Sequence, residues 1–318
     1  MRSLVFILSA LCAALPARSQ DYPTRPVHII VPYTPGTGAD ILARLIGPKL
    51  GERWKAAVVA DNKPGATGNI GADFVAKSAP DGHTVLFVAT SFGTTPALQK
   101  NLPCDPVKSF EPVALVATSG LVLVANPQVP ARSMKELIEF SRKEKGKLHY
   151  SSPGNGGPQH LAMELIKLET GLDIVHVPYK GASQALADVV GGHVEATIAA
   201  VQTAHPHVQS GRLRALAVMS AERSSAYPDV PTMREQGLSE LEVETWYGSF
   251  VPAGTPPSIV QKLNADINAV LREAAVREAL EKQGMTPVGG TAQRLGELVK
   301  KELPRWKRVV SAAGIKAD

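Results

Sequence analysis

The 318-residue chain has little cysteine and few aromatics: two cysteines, and only 5% Phe, Trp and Tyr. One cysteine, Cys12, lies in a short N-terminal stretch that reads as removable. Cys104 would then stand alone, so no intramolecular disulfide is expected and the core must hold the fold by itself. There is no stripe of Lys and Arg, and too few aromatics to stack bases, which excludes a nucleic-acid-binding surface. Past the N-terminal stretch no apolar run reaches the ~18 residues of a membrane-spanning helix. Fixed-period repeats and low-complexity segments are also missing, which excludes solenoid and collagen-like architectures. What remains is an ordinary globular balance of 44% apolar and 20% charged residues, enough for one large or two ordinary domains.

The first residues follow a different pattern. Arg2 supplies a positive start, Leu4 to Leu15 (LVFILSALCAAL) is apolar, and Ala17 and Ser19 occupy the −3 and −1 positions of a small-residue cleavage site. This is the pattern of a secretory signal peptide, too short to cross a bilayer core of ~30 Å as a stable helix. Leu11 stands before Cys12 where a lipoprotein site needs a small residue. Export to the periplasm and a mature chain starting near Gln20 are therefore expected. Loss of residues 1–19 removes Arg2 and Arg18 and no acid, so the net charge falls by two, from +5 to +3. The remaining charge is mild and suits anionic ligands without requiring them.

Apolar runs alternate with glycine- and proline-rich turns. Val27 to Tyr33 (VHIIVPY) reads as a buried strand, TPGTG as a turn, and Ala39 to Leu50 as a helix with Ile41, Leu42, Leu45 and Ile46 at helical spacing. A strand over 56–60, a helix over 70–78 and a strand over 84–89 complete a strand–helix–strand unit, the signature of a parallel α/β sheet. The pattern restarts at Leu121. It has strands over 121–125, 148–151, 173–179, 195–200 and 213–219 and helices over 133–143, 158–169 and 183–190. Glu244 to Pro252 (ETWYGSFVP) reads as a strand returning to the first unit, with Trp246 as a hinge or core residue. A helix capped by Thr255 with Pro256 in its first position should follow, and Gly284 is a plausible stop. Two crossings between two units would make a hinge between two lobes.

The two glycine-rich turns carry the most chemistry. Each follows a buried strand and opens a helix, where unpaired N–H groups and the helix dipole attract anions. Glycine lets a backbone approach a ligand closely and adopt positive φ. The first turn offers Gly36, Thr37 and Gly38, with hydroxyls from Thr34 and Thr37. The second offers Ser152, Gly154, Asn155, Gly156 and Gly157. Either alone is ordinary punctuation, but one in each lobe would make a clamp for a carboxylate. His160, on the helix after the second turn, is a further candidate for the cleft. Asn69, Ser91, Tyr179 and Gln202 fall at expected strand ends, where open α/β sheets bind ligands. Tyr33 and Tyr179 could wall the pocket.

Three enzymatic or metal readings are weaker. Gly36-x-Gly38 with Asp61 imitates a dinucleotide fingerprint, but Ile41 takes the third glycine position. Gly181-Ala-Ser183-Gln-Ala185 nearly matches a hydrolase nucleophile elbow, but ends in alanine, and His205, His207 and Asp229 lack supporting spacing. Ser183 reads better as a helix cap. His205-Pro206-His207 has no carboxylate or cysteine at ligand spacing, so no metal is expected.

Several stretches are specific at nearly every position. They include YPTRPVHIIVPYTPGTGADILAR, DNKPGATGNIGADFVAKSAPDGHTVLF, LPCDPVKSFEPVALVA, LHYSSPGNGGPQHLAMELIK, HVPYKGASQALADVVGGHVEA, GRLRALAVMSAERS, PDVPTMREQGL and FVPAGTPPSIVQKLN. Through them the chain resembles the substrate receptors of tripartite tricarboxylate transporters, the Bug family. The resemblance covers most of the mature chain. It implies an α/β fold of the type II periplasmic-binding-protein class, with two lobes, each a mainly parallel sheet flanked by helices, and a two-strand hinge. It implies a carboxylate held by backbone N–H groups, hydroxyls and water, with contacts from Tyr33 to Gly38, from Asp40 and from Ser152 to Gly157. Asn69, Ser91, Tyr179 and Gln202 carry over more loosely. Two departures stand out. Gly36-Thr37 replaces a frequent Gly-Gly pair, which leaves the fold secure and the ligand open. Cys104 replaces a frequent tyrosine outside the motifs.

The expected division is a signal peptide at 1–19, a first lobe at 20–121 and 246–318, and a second lobe at 122–245. The expected function is capture of a small carboxylate in the cleft and its delivery to membrane permease subunits, by a monomer without catalysis, cofactor or nucleic-acid partner. A ligand sensor for a signalling kinase and a secreted serine hydrolase are the alternatives.

Overall fold

The computed structural model describes residues 22–99, 101–179 and 181–315. The export signal expected at 1–19 lies outside the described residues. The first lobe begins with β1 (Val27–Val31), α1 (Gly38–Trp54), β2 (Val58–Asn62), α2 (Asn69–Ala76), β3 (Thr84–Ala89) and α3 (Ser91–Leu98). A long strand, β4 (Phe110–Ala125), then runs out of it. The second lobe holds α4 (Met134–Lys143), β5 (His149–Ser152), α5 (Pro158–Thr170), β6 (Val175–Pro178), α6 (Ala182–Val190), β7 (Ala196–Ala200), α7 (Val201–Gln209) and β8 (Arg214–Val218). The chain returns through β9 (Glu244–Pro252) to α8 (Pro257–Leu271), α9 (Ala274–Lys282), β10 (Thr286–Pro287) and α10 (Ala292–Ala313).

The two lobes repeat one strand order around a shared strand. In the first, β2-β1-β3-β9-β4 are neighbours, and in the second β6-β5-β7-β4, with β8 also on β4. Residues 110–120 of β4 pair with β9, and residues 121–125 pair with β7 and β8. β1 is parallel to β3, which is antiparallel to β9, which is antiparallel to β4. So β1 points the same way as β4, out of its lobe towards the second. β5 is parallel to β7, which is antiparallel to β4, so β5 points back towards the first lobe. The C-terminal ends of β1 and β5 therefore face each other. Each lies between two parallel neighbours whose connections leave in opposite senses, the place where open α/β sheets bind ligands.

Local sequence accounts for the elements. β1 is β-branched and buried, which suits a central strand. α1 buries Leu42, Ile46 and Leu50 at spacings of four, each contributing about 1.5–3 kcal/mol. It ends at Lys55 in the left-handed conformation (φ 53). α4 begins as expected at Ser133, whose side chain accepts from the Glu136 N–H, while the Arg132 N–H donates to Glu136.

Some elements differ from the sequence expectation. α3 and α7 were not expected as helices. Each contains a proline, Pro96 and Pro206, which reads as a breaker in isolation. His205 and His207 thus lie on α7. The helix after β9 starts one residue late, with Pro256 as its cap and Thr255 turned back to donate to the Pro252 carbonyl at 2.7 Å. Gly181 and not Ser183 precedes α6. The first part of β4, residues 110–120, was not expected as strand either.

α10 has a different relation to the lobes from the rest of the tail. Its Leu295 and Val299 pack with Leu86, Phe110 and Trp246 of the first lobe. Its Trp306, Val309 and Val310 pack with Tyr150, Leu161 and Leu165 of the second. Arg305 donates to the Glu240 and Glu242 carbonyls, and Arg308 pairs with Glu169. The expected assignment of 246–318 to one lobe has no such bridge. A 22-residue helix spans about 33 Å, long enough to lie across both cores.

Candidate functional site

The first bend, Pro32–Thr37, leaves β1 and opens α1. Its glycine is needed at Gly36, where φ is +83 and a side chain would meet nothing within 4 Å. Behind it lies Asp40, 3% exposed. One carboxylate oxygen accepts from the Gly36 N–H at 2.9 Å, and the other from Arg44 Nε at 2.9 Å and Asn62 Nδ2 at 3.0 Å. Asn62 also donates to the Tyr33 carbonyl. Burial pushes the Asp40 carboxyl up, but these hydrogen bonds and the Arg44 charge outweigh it and hold the group below its usual range. Asp40 thus braces the bend from inside. Thr37 spends its hydroxyl on the Thr34 carbonyl (3.0 Å). No side chain caps α1, so its first-turn N–H groups have no intrahelical partner.

Tyr33 turns away from solvent. Its hydroxyl lies 2.7 Å from Ser91 Oγ and accepts from the Ala89 N–H, which joins the first bend to the start of α3. Asn69 donates to Gln99 at 2.7 Å, beside the end of α3. Gly38 owes its lack of a side chain to Tyr247: a Cβ there would fall on the Tyr247 ring and hydroxyl. Tyr247 was missed. The alternation of strand side chains could have found it, since its neighbour Trp246 faces the core on the opposite side of β9. Burial, with Tyr33 nearby, pushes the Tyr247 phenol up to about 12.

The second bend, Pro153–Gly157, leaves β5 and opens α5, which no side chain caps either. Ser152 has no exposed surface. Its Oγ accepts from the Gly154 N–H (3.2 Å), donates to the Gly154 carbonyl (3.0 Å) and lies 2.7 Å from His176 Nε2. His160 is buried too, and its Nδ1 accepts from the Gly156 N–H at 2.9 Å. The His160 and His176 rings stack at 3.8 Å, and Tyr150 stacks on His176 at 4.8 Å. Burial and then the neighbouring His160 hold His176 down at about 4. Ser152 and His160 therefore hold the bend together from within. His176, unforeseen, is their partner. Asn155 is exposed at the tip.

Gly156 has φ +69, and a Cβ there would lie 2.5 Å from Leu98 of α3. The second bend thus touches the first lobe at the end of α3, where Asn69 bonds to Gln99. Gln202, in the first turn of α7, meets Gly284 across the same gap and sits 3.5 Å from Ser119 on the crossing strand. Tyr179 stands at the end of β6, where its hydroxyl donates to Asp188 at 2.5 Å. That hydrogen bond, with burial, raises the phenol to about 12. The structure thus brings the two bends, Ser91, Asn69 and Gln202 to the gap between lobes. Leu98, like Tyr247 and His176, was not foreseen, because nothing local marks a contact made across a hinge.

The other readings find little support. Ser183 lies in the first turn of α6 and His207 in the last turn of α7. Among the described residues no group of three His, Cys, Asp or Glu side chains could hold a metal ion, and no helix is long and apolar enough to cross a membrane.

Comparison with known proteins agrees with this architecture. Residues 42–315 match the tripartite tricarboxylate transporter family receptor. The protein BugT of Bordetella pertussis is 38% identical over 98% of this chain and 96% of its own. A protein of R. palustris solved with adipate superposes with a TM-score of 0.77 at 35% identity, over 93% of this chain and 99% of that one. MatC of Rhodopseudomonas palustris, solved with malate, superposes with a TM-score of 0.74 at 32% identity, over 91% and 100%. With two lobes about one shared crossing strand, and with these relatives aligned along nearly its whole length, the chain belongs to the tripartite tricarboxylate transporter receptor family.

Proposed function

We propose that this protein is a periplasmic receptor that captures a small carboxylate between its lobes and delivers it to the permease subunits of a tripartite tricarboxylate-type transporter. The observation that carries the reading is the opposition of β1 and β5. Their directions, fixed by pairing through β4, turn two uncapped helix N termini towards one gap. An anion between them gains from both helix dipoles and from main-chain donors that need no reorganisation. The relatives solved with adipate and malate take ligands of this class.

On this reading the contacts come from the N–H groups of Gly38 and Ala39 and of Gly157 and Gln159, with Thr34, Ser91, Asn155 and Gln202 as side-chain partners. Asp40, Ser152 and His160 act through the backbone they brace. The ligand docks on one lobe, the other closes on it, and loss of water strengthens each charge-assisted hydrogen bond. The lobes divide near Gly120 and Val243, where β4 and the chain entering β9 cross. Residues 1–19 direct export, and the mature chain acts as a monomer. A ligand shifts the open–closed balance only by its preference for the closed form.

A thermal-shift screen of the mature protein against carboxylates, with their amides as controls, tests this. At about 100 times Kd a true ligand adds about 2.7 kcal/mol of stability. A panel in which no carboxylate raises the melting temperature more than its amide would overturn the reading.

A further inference from the structure

α10 is gripped by both lobes, and the change of partner falls in the middle of the helix. Leu295 and Val299 belong to the first core, Trp306 and Val309 to the second. Glu302 stands between them and is 6% exposed. A carboxylate so deep needs a compensating donor. It has one in Trp246 of the crossing strand β9, whose indole N–H donates to Glu302 Oε2 at 2.7 Å. The backbone N–H of Trp246 donates in turn to Thr90 Oγ1 at 2.8 Å, which fixes the strand at this point.

α3 closes another side. A Cβ on Gly93 would lie 3.3 Å from Glu302 Oε2 and 3.3 Å from the Trp246 ring. α3 also carries Ser91, which meets Tyr33 of the first bend, and Leu98, which meets the second bend. A helix bordering the gap between the lobes therefore rests on Glu302.

One turn further along α10, Trp306 has no exposed surface. Its indole N–H is buried and lacks a hydrogen-bond partner among the described residues. Buried donors are seldom left in this state, and the exceptions ask for a cause. Residues four apart share a helix face, which puts the Trp306 indole beside Glu302. Burial raises the Glu302 carboxyl above its usual range, against the opposing pull of Trp246, Trp306, Arg305 and Lys301. Between Glu302 and Trp306 lies Pro304. It offers no N–H to the Lys300 carbonyl and marks where the helix bends most easily.

We propose that Glu302 and Trp306 form a latch that favours lobe closure. As the second lobe closes, α10 bends beside Pro304 and the Trp306 indole N–H donates to the Glu302 carboxylate. One carboxylate then joins an indole from each core. In the arrangement described here only the Trp246 bond is made. Both are positioning residues: they touch no ligand, and they act through the share of molecules in the closed form. The inference rests on the carboxylate-receptor reading above and adds the contact that biases its closure.

Nuclear magnetic resonance and calorimetry of the mature protein test it, with adipate, malate and the strongest binder of the thermal-shift panel as probes. The Trp306 indole N–H peak, assigned from Trp306→Phe, should move downfield as acid is added. The Trp54 peak, whose N–H already donates to Asp266 at the far end of α1, should stay in place. Trp306→Phe and Glu302→Gln should each weaken binding by about tenfold or more, the worth of one hydrogen bond to a charged group. The double variant should bind no more weakly than the weaker single, since both lose the same bond. Packing damage alone lowers the melting temperature and leaves affinity unchanged, and that result overturns the latch. So does a Trp306 peak that stays fixed at saturation, or losses that add in the double variant; the receptor reading survives each of these outcomes. If no acid binds, the receptor reading fails and this inference fails with it.

Discussion

The two glycine-bearing bends occupy equivalent places in the two lobes, yet opposite chemistry supports them. The first is built on a charge. Asp40 accepts from Gly36 while Arg44 and Asn62 hold it, and the glycine itself looks into open space. The second is built on neutral rings. His160 accepts from Gly156, His176 sits on Ser152, and Gly156 presses against the other lobe. Both arrangements commit buried side chains to loop carbonyls and N–H groups and leave a helix end uncapped. A carboxylate brace serves near neutral pH and below, whereas a brace of neutral histidines weakens as acid rises.

The largest expected difference comes from Gly156→Val. The side chain adds roughly 1–3 kcal/mol of strain at positive φ and roughly 1–3 kcal/mol of overpacking against Leu98, and it separates the lobes. Calorimetry should show carboxylate affinity falling by about a hundredfold or more. Retention of parental affinity would remove the second bend from the clamp.

Asp40→Ala comes next. It leaves the Gly36 N–H, Asn62 and Arg44 without their acceptor, at a cost of about 1.5–3 kcal/mol for charge-assisted bonds. Denaturant unfolding should record the loss, and ligand affinity should drop with it because the bend loosens. An affinity drop without a stability loss would instead make Asp40 a direct contact.

The smallest effect separates the bends by pH. His176 titrates at about 4 in the fold against its ordinary 6.5, so the unfolded chain takes up the proton first. The stability it supplies is full above about pH 6.5 and is lost as pH falls to about 4. Asp40 is held below its ordinary value, so its contribution persists above that value and is lost only as pH falls through the lowered one. Between these ranges only the second bend should weaken. His176→Phe keeps a stacking ring and should flatten the fall of melting temperature over pH 6.5 to 4. An unchanged slope would assign the acid sensitivity elsewhere, with Glu164 and Lys167, which also act on His176, the first places to look.

Much of this was legible in the sequence because it is local. Apolar runs closed by TPGTG and SPGNGG mark strand, turn and helix within a few residues, and glycine declares positive φ where Gly36 and Gly156 adopt it. The inward turn of Asp40, Ser152 and His160 was not legible. A polar residue beside a glycine turn suits a ligand contact and a brace equally well, and only the rotamer separates them. α3 and α7 were hidden by Pro96 and Pro206, whose lost hydrogen bonds are offset by packing that a propensity does not contain.

Composition and spacing alone determined two α/β units, a return strand and two anion-seeking helix ends, because periodicity, glycine and proline act over a few residues. The tertiary structure alone decided that those ends converge, that Leu98 meets Gly156 and that α10 bridges both cores. Each depends on side chains from distant segments meeting in space, and on strand directions set by pairing partners far away in the chain.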